Sequence, residues 1–306
     1  MFNKFSILKF NKNSVNTLDN INAIHSRSLW ADAYYRLLKN KLAIVSLIII
    51  SFISFLVVLA PYISSYSYDA IDWQAMQTGP NIASGHYFGT DLLGRDILSR
   101  TLHGGRISLM VGLVATLVSV LIGVSYGAIS GFIGGKIDGL LMRIVDVLYT
   151  LPFMFFVILL SVFFGRNLIL IFIAIGATNW LDLARIVRGQ TLSLKNKEFI
   201  DAAIVGGMSK IKIVFKHIIP NLLGIVVVYI TLTIPATILA ESMLSFLGLG
   251  VQEPSTSWGM LVNEGAQVID EMWWVLLFPA VFLAMTLMCL NFLGDGLRDA
   301  LDPKDR

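Results

Sequence analysis

Two stretches of the chain contain the residue types of a catalytic loop and of a phosphate-binding loop. The first, Gly123-Val-Ser125-Tyr-Gly127, has the spacing of a nucleophile elbow, in which a sharp turn from a strand into a helix exposes the serine. Here the segment lies inside an apolar run in which further glycines follow at helical spacing. Because a membrane helix contains no such strained turn, we predict that Ser125 is not a nucleophile.

The second stretch, from Gly131 to Ile137, resembles a phosphate-binding loop only in part. One residue is missing between Gly131 and the Gly135-Lys136 pair, and Ile137 stands where a serine or threonine would bind magnesium. We therefore expect this chain to bind no cofactor. Any ATP and magnesium that drive its activity would be bound by partner subunits.

The chain also lacks a recognisable set of metal ligands. Its 4 histidines are scattered and form no HExxH segment, and the sequence contains a single cysteine, Cys289. A single thiol can form neither an intrachain disulfide nor a thiolate metal site. Cys289 lies in an apolar run, so we predict that it is a small buried side chain.

The composition indicates a membrane protein. Charged residues make up 14% of the chain and apolar residues 56%, and the mean hydropathy is +0.75. Soluble domains carry about 25% charged residues, and their surfaces must face water. A chain with this balance needs a bilayer to cover its apolar surface. The predicted fold class is therefore an all-α membrane protein.

Six segments are long and apolar enough to span a bilayer, whose hydrocarbon core of about 30 Å needs about 20 helical residues. They are residues 42–60, 107–133, 140–164, 168–183, 222–241 and 273–293. We predict an N-terminal segment 1–41 with an amphipathic helix near 28–40, an outer loop 61–105, a transmembrane domain 106–295 with an inner loop 185–220, and a tail 296–306. The prolines at positions 152, 235 and 279 fall inside predicted spans and are expected to kink them.

The distribution of lysine and arginine predicts the orientation. With both termini in the cytoplasm, cytoplasmic segments hold 7 Lys or Arg before the first span, 2 between the second and third spans, 7 in the inner loop and 3 after the last span. The segments outside hold Arg95, Arg100, Arg106 and Arg166. Because Lys and Arg accumulate on the cytoplasmic side, we predict a multi-pass protein of the inner membrane with both termini inside. The polar N-terminal segment predicts no cleaved signal peptide.

Glycines at regular spacing predict one helix contact in the second span. Gly123, Gly127, Gly131 and Gly135 recur every four residues, which places them on one face of a helix. Another helix can approach closely where side chains are this small, and close packing drives helix association in membranes. We therefore predict that these glycines form a packing face.

The inner loop contains the most informative pattern in the chain. It carries Asp201-Ala202-Ala203, then Gly206-Gly207, then His217 and Pro220. We interpret it as two short amphipathic helices that are hinged at the glycines and end at Pro220. The small side chains of the two alanines, beside an acid, give a helix face with few protruding atoms, which fits a groove on another protein. The alternative is a loop whose lysines hold it at the lipid headgroups.

This pattern resembles the coupling loop E-A-A-x3-G-x9-I-x-L-P of ABC-importer permeases, which docks on the nucleotide-binding subunits. The spacing from Asp201 through Gly207 to Pro220 is the same, while Asp201 replaces glutamate and His217 and Ile219 replace isoleucine and leucine. Further segments resemble the C-type permeases of the oligopeptide/dipeptide family, and are closest to its oligopeptide members. They are residues 88–96, 180–190, 244–250, 257–259 and 291–306.

The resemblance implies a fold with six transmembrane helices, the type I ABC-importer transmembrane domain, in the bacterial inner membrane. It also implies a transporter subunit, not an enzyme, that imports oligopeptides using ATP hydrolysed elsewhere. The implied partners are a homologous second permease, two ATP-binding subunits, a periplasmic or lipid-anchored peptide-binding protein, the peptide and membrane lipid, but no nucleic acid. The residues implied to couple to the ATPases are Asp201, Ala202, Ala203, Gly207, His217 and Pro220.

Two sets of alternatives remain at this stage. Within the same family the substrate could be a dipeptide, nickel or glutathione. A secondary transporter would place several ionisable groups at membrane depth, whereas only Asp146, Asp182 and Glu241 lie near predicted spans. Glu241 could contact a peptide amine or form part of a gate. It could also cap the following helix or pair with an arginine of a second permease. Asp146 is expected to pair with Arg143, three residues earlier.

The rejected phosphate loop leads to a first prediction. We expect the purified chain alone neither to bind nor to hydrolyse ATP, as measured with a labelled nucleotide and by phosphate release. Uptake should stop when the partner ATPases lose their phosphate-loop lysines. Uptake that continues in those variants on a proton gradient would instead indicate a secondary transporter.

Overall fold

The computed structural model describes residues 29–165 and 168–301, with the side chains of 31–165 and 172–301. Regular structure in these ranges is helical, apart from isolated bridges between Asn81 and His86 and between Thr90 and Asp96. Residues 1–28, residues 166–167 and the last residues of the predicted tail, 302–306, lie outside the described ranges.

The helices are numbered here in chain order. They are α1 (Leu29–Lys39), α2 (Lys41–Val58), α3 (Ala60–Ile63), α4 (Ile97–Ile133), α5 (Gly135–Tyr149), α6 (Phe153–Phe164), α7 (Leu168–Leu194), α8 (Glu198–Val205), α9 (Lys210–Ile213), α10 (Ile219–Phe246), α11 (Trp258–Gln267) and α12 (Trp273–Leu301). A π-helical turn, Val214–Ile218, joins α9 to α10.

Among the described residues, 4 helical segments are long and apolar enough to cross a membrane: Lys41–Val58, Ile97–Ile133, Lys210–Phe246 and Trp273–Leu301. The third segment takes α9, the π-helical turn and α10 together. Helices α5 and α6 pass the same test as a pair, which would make 5 spans, but they are bent by 79°. Pro152 lies at this bend, where it has no N–H to donate and keeps the preceding residue out of the helical region. By contrast, Pro235 and Pro279 lie inside the continuous helices α10 and α12.

Two helices extend beyond the apolar segments that were predicted as spans, one into the predicted outer loop and one into the predicted tail. The helix α4 begins at Ile97, so residues 97–105 of the predicted outer loop are helical. Asp96 starts this helix, because its carboxylate accepts a hydrogen bond of 2.8 Å from the Ser99 N–H. Likewise α12 continues to Leu301, through part of the predicted tail. Apolar patterning ends where the bilayer ends, whereas a capped or packed helix extends beyond it.

The end of α12 packs against the junction of α1 and α2. Gly296 makes this possible, since a Cβ at that position would lie 3.3 Å from the Asn40 amide nitrogen and 3.4 Å from Leu37. Asn40 also caps α2 by accepting a hydrogen bond of 3.2 Å from the Ala43 N–H. The N-terminal helices are therefore joined to the C-terminal end of the bundle.

Within the described residues, α4 and α7 form the most extensive helix–helix contact. A Cβ built on Gly123 would lie 2.9 Å from the Trp180 carbonyl oxygen, and one on Gly131 would lie 2.8 Å from the Arg188 carbonyl oxygen. Gly127 lies even closer to a backbone carbonyl of α7. These three glycines let the two backbones touch, which a larger residue would prevent.

Gly135 does not belong to this packing face, contrary to the sequence prediction. It has a φ of +60°, and a Cβ added there would have nothing within 4 Å. Together with Gly134, which has a φ of +70°, it forms the break between α4 and α5. A left-handed backbone favours glycine, because a Cβ would collide with its own main chain. The same residue type therefore serves packing at three positions and turning at the fourth.

Ion pairs fix α5 to α7 at the end of the bundle that carries the loop between α7 and α10. Arg188 donates two hydrogen bonds of 2.6 Å to the Asp138 carboxylate, which also accepts one of 2.7 Å from Ser130. Asp146 pairs with Arg185 at 2.9 Å, and not with Arg143 as the sequence suggested. A bidentate arginine–carboxylate pair holds both partners in one geometry. These ion pairs thus attach α5, the first helix of the bent pair, to α7.

Candidate functional site

The loop between α7 and α10, residues 195–218, is shorter than the predicted inner loop 185–220, because α7 remains helical to Leu194. Its two helices α8 and α9 rest on the ends of α4 and α7. Ile200, Ile213 and Ile218 are fully buried in an apolar cluster with Phe132 of α4 and Val187 of α7. Burial of a large aliphatic side chain contributes about 1.5–3 kcal/mol. The α7–α10 loop is therefore a fixed extension of the bundle.

The opposite side of this loop exposes large apolar residues. Val205 is 88% exposed and Ile211 is 70% exposed, and Ile204 and Phe215 are exposed by more than half. We call these four residues the apolar patch. Lysines at positions 210, 212 and 216 are adjacent in sequence to Ile211 and Phe215 of the patch and are exposed. Exposed apolar groups with a polar rim are typical of a protein–protein or membrane contact.

A Schellman turn joins α8 to α9. The Met208 N–H donates to the Ala203 carbonyl at 3.1 Å, and the Gly207 N–H donates to the Ile204 carbonyl at 3.0 Å. Gly207 itself has a φ of +77° and no atom within 4 Å of an added Cβ. The position requires glycine because of its backbone angle, and crowding has no part in it.

The two alanines of the motif occupy different environments. Ala202 is exposed, whereas Ala203 is partly buried against the apolar cluster beneath the loop. The sequence analysis placed both on a partner surface. In the structure a bulky residue at Ala202 would project outward, while one at Ala203 would also disturb the chain's own packing. Ala202 is therefore the better position at which to test docking.

Asp201 lies in the first turn of α8, where a negative charge favours the helix dipole. Across the described ranges its carboxylate has neither a hydrogen bond nor an ion pair, and the residue is exposed. It lies directly beside Ala202, so its charge is available to a partner.

His217 and Pro220 lie where the loop enters α10. Pro220 lacks the N–H that would continue the α-helical hydrogen bonds of the preceding turn, and that turn is π-helical. The Asn221 side-chain amide donates a hydrogen bond of 2.6 Å to the His217 carbonyl at this junction. The His217 ring is half-buried, and within the described part of the chain its Nε2 atom has no partner.

The sequence comparisons agree with this geometry. Residues 119–306 match the family described as binding-protein-dependent transport system inner membrane component. The chain belongs to this family. Residues 28–81 match the N-terminal transmembrane domain of oligopeptide transport permease C.

Relatives that align over most of their length are named oligopeptide or dipeptide permeases. The chain is 58% identical over 302 residues to the oligopeptide transport system permease protein OppC of Escherichia coli (strain K12), covering 98% of this chain and 100% of that protein. It is 58% identical over 283 residues to OppC of Haemophilus influenzae, covering 92% and 91%. It is 47% identical over 282 residues to the dipeptide transport system permease protein DppC of Bacillus subtilis, covering 92% and 88%.

In this permease, Glu241 lies inside α10 and is fully buried. It accepts hydrogen bonds from Ser245 at 2.6 Å and from Ser108 of α4 at 3.2 Å, and Ser108 in turn accepts one from the Trp258 N–H. The sequence analysis offered Glu241 as a peptide contact or gate, or as a cap or a partner for an external arginine. In this conformation it is accessible to neither a peptide nor a second subunit. It joins α4, α10 and the start of α11.

A charged network that the sequence analysis missed organises the end of the permease opposite the α7–α10 loop. Arg100 is 1% exposed and donates to Glu264 at 2.8 and 2.9 Å and to Asp91 at 3.1 Å. Arg95 joins Asp91 to Glu253 at 2.7 and 2.8 Å. Burial raises the pKa of the Glu264 carboxyl, while the guanidinium groups of Arg100 and Arg95 oppose that rise. The clustering of Asp91 and Arg95 within the 88–96 segment was the available sequence signal.

The backbone angle of Gly207 leads to a second prediction. We expect Gly207→Val to loosen the α7–α10 loop, because a β-branched residue in the left-handed region costs about 1–2 kcal/mol. Trypsin should then cleave at Lys210 or Lys212 about tenfold faster in membranes that expose this loop. Gly207→Asn is the matched control, since asparagine tolerates this region. Equal cleavage of the valine variant and the wild type would contradict this account of the turn.

Proposed function

We propose that this permease is one of two homologous membrane subunits of an ATP-driven importer of oligopeptides. Two ATPase subunits would dock on the α7–α10 loop, and a periplasmic or lipid-anchored binding protein would deliver the peptide. Nucleotide and magnesium would bind only to the ATPases, and this chain would contribute no catalytic residue. The observation that carries the proposal is an exposed apolar patch, within the motif of a coupling loop, on a base that cannot move independently of the bundle.

The rigid base explains how such a loop would transmit force. The inward side chains of α8, α9 and the π-helical turn are buried against α4 and α7. A push on the exposed side would therefore move these two helices as one body. A flexible loop would absorb the same push without moving the bundle. The buried contacts are thus as important for coupling as the exposed ones.

The charges around the apolar patch indicate the chemistry of the partner. Lys210, Lys212 and Lys216 are exposed and adjacent in sequence to the patch, while Asp201 is unpaired among the described residues. A complementary groove would be apolar at its centre, acidic along most of its rim, and basic where it meets Asp201. Such a groove accommodates a helix end with small residues, which is what Ala202 provides.

The proposed topology has six spans with both termini in the cytoplasm. The helices α2, α4, α10 and α12 would form four spans, the bent pair α5–α6 a fifth, and α7 a sixth. The lysine and arginine distribution supports this orientation. It places the α7–α10 loop in the cytoplasm, where ATPase partners would meet it, and the Arg100 network on the periplasmic side.

The substrate assignment rests on the named relatives. Proteins named oligopeptide permeases in Escherichia coli and Haemophilus influenzae share 58% identity with this chain, and the dipeptide and oligopeptide permeases of Bacillus subtilis share 47% and 46%. We favour oligopeptides because the relatives at 58% identity carry that name. Uptake of labelled di-, tri- and pentapeptides by cells with and without this subunit distinguishes the two, because a dipeptide importer would restore only the shortest.

The exposed position of Ala202 leads to a third prediction. We expect Ala202→Trp to abolish peptide uptake and to prevent the ATPases from co-purifying, while the chain still inserts in the membrane. Overpacking a fitted contact costs roughly 1–3 kcal/mol, which weakens docking about tenfold or more. Ser193→Trp, at an exposed position in the last turn of α7, is the control. Normal uptake with retained ATPases in Ala202→Trp would show that this loop is not the docking element.

The proposed topology leads to a fourth prediction. In a Cys289→Ala background, Gln267→Cys should react with an impermeant thiol reagent in cells with an intact inner membrane, and Ser209→Cys should react only after permeabilisation. Both positions are exposed, whereas Thr256 in the same periplasmic region is 1% exposed and would not report. Reversed labelling would overturn the orientation.

A further inference from the structure

A cavity of about 380 Å³ opens beside the bend between α5 and α6. Tyr149, Pro152 and Phe153 of the bend form one wall, and Thr178, Asn179 and Asp182 of α7 form the other. An ionisable residue within a membrane-spanning segment normally faces the interior or a water-filled cavity, because lipid does not solvate its charge. This is the position of Asp182.

The Asp182 carboxylate is exposed, and within residues 29–165 and 168–301 it makes no hydrogen bond or ion pair. The nearest arginines along α7 already have partners. Arg185 pairs with Asp146 at 2.9 Å and lies 4.3 Å from the centre of the Tyr149 ring, and Arg188 holds Asp138. The cavity therefore contains an acid whose neighbouring basic residues are engaged elsewhere.

The other polar groups of the cavity leave acceptors free. The Thr178 hydroxyl donates to the Ile175 carbonyl at 3.0 Å, so its lone pairs remain available. The Asn179 amide nitrogen donates to Thr237 at 3.0 Å, which leaves its carbonyl oxygen. A carboxylate beside two neutral acceptors suits a group that has several donors, no acceptor and a positive charge. An ammonium group meets all three requirements.

We propose that this cavity binds the α-ammonium group of the translocated peptide, with Asp182 as its counter-ion and Asn179 and Thr178 as further acceptors. The inference rests on the proposed function. A free N-terminus is the one cation that peptides of every sequence share, so the site would hold peptides without selecting their side chains. The apolar wall formed by Pro152, Phe153 and Ile175 would contact those side chains without polar discrimination.

The charge of the site can be tested in the assembled transporter, co-purified with its partners. Leu148 lines the cavity and is 40% exposed, so Leu148→Cys in a Cys289→Ala background reports on the site. A cationic methanethiosulfonate should modify it about fivefold faster than a neutral one of similar size, because of the nearby carboxylate. Asp182→Asn should bring the ratio to about one, while Asp295→Asn, an exposed acid on α12, should leave it unchanged. A ratio that does not depend on Asp182, as when a second subunit neutralises it, overturns the proposal.

Peptide occupancy is tested with the same cysteine. Millimolar trialanine and its C-terminal amide should both slow modification several-fold, N-acetyl-trialanine should not, and Asp182→Asn should remove the protection. Equal protection by the acetylated peptide, or in Asp182→Asn, overturns the proposal. Protection absent from a transporter that imports trialanine removes the cavity from the path but leaves the proposed function intact. A wild-type transporter that imports no peptide contradicts the proposed function itself.

Discussion

The backbone contact between α4 and α7 is the feature on which the rest of the permease depends. Membrane helices gain little from hydrophobic association, because lipid is as apolar as their own side chains, so close packing must hold them together. Gly123, Gly127 and Gly131 provide this packing against the carbonyls of α7. The ends of the same two helices then form the apolar base on which α8 and α9 rest. Without the glycine face, the α7–α10 loop would lose its support.

Charged pairs fix both ends of the bundle, and one turn before Arg185 on α7 lies an acid, Asp182, that has no hydrogen bond or ion pair among the described residues. At one end Asp138 and Asp146 hold α5 to α7, and at the other Arg100 and Arg95 tie Asp91 to Glu264. The pair between Arg100 and Asp91 is buried, so separating it would leave charges without compensation inside the protein. Motions that open either side are therefore expected to move each cluster as a unit. The bend at Pro152 and the cavity with Asp182 lie next to the Asp146–Arg185 pair, since Tyr149 lines the cavity and contacts Arg185.

Much of the fold follows from the sequence, because the length of an apolar segment must match the thickness of the bilayer and the lysines and arginines accumulate on its cytoplasmic side. The turn and the helix entry of the α7–α10 loop were predictable for a similar reason, since a left-handed backbone at Gly207 and a proline near the start of α10 are local requirements of the chain. Boundaries were less predictable. The helix α4 begins ten residues before its predicted span, at a cap formed by Asp96, and α12 continues as far as its packing allows. Hydropathy does not predict the part of a helix that extends beyond the bilayer, because that part is polar.

The membrane class, the main apolar segments and the spacing of the α7–α10 loop follow from the order of the residues, because each depends on neighbours along the chain. Which side chains meet depends on the packing of the helices. This packing separated Gly135 from the other three glycines, exposed Ala202 while partly burying Ala203, paired Asp146 with Arg185, and buried Glu241 among serines. These outcomes depend on the relative orientation of helices that are far apart in sequence. Residue spacing within one helix does not predict that orientation.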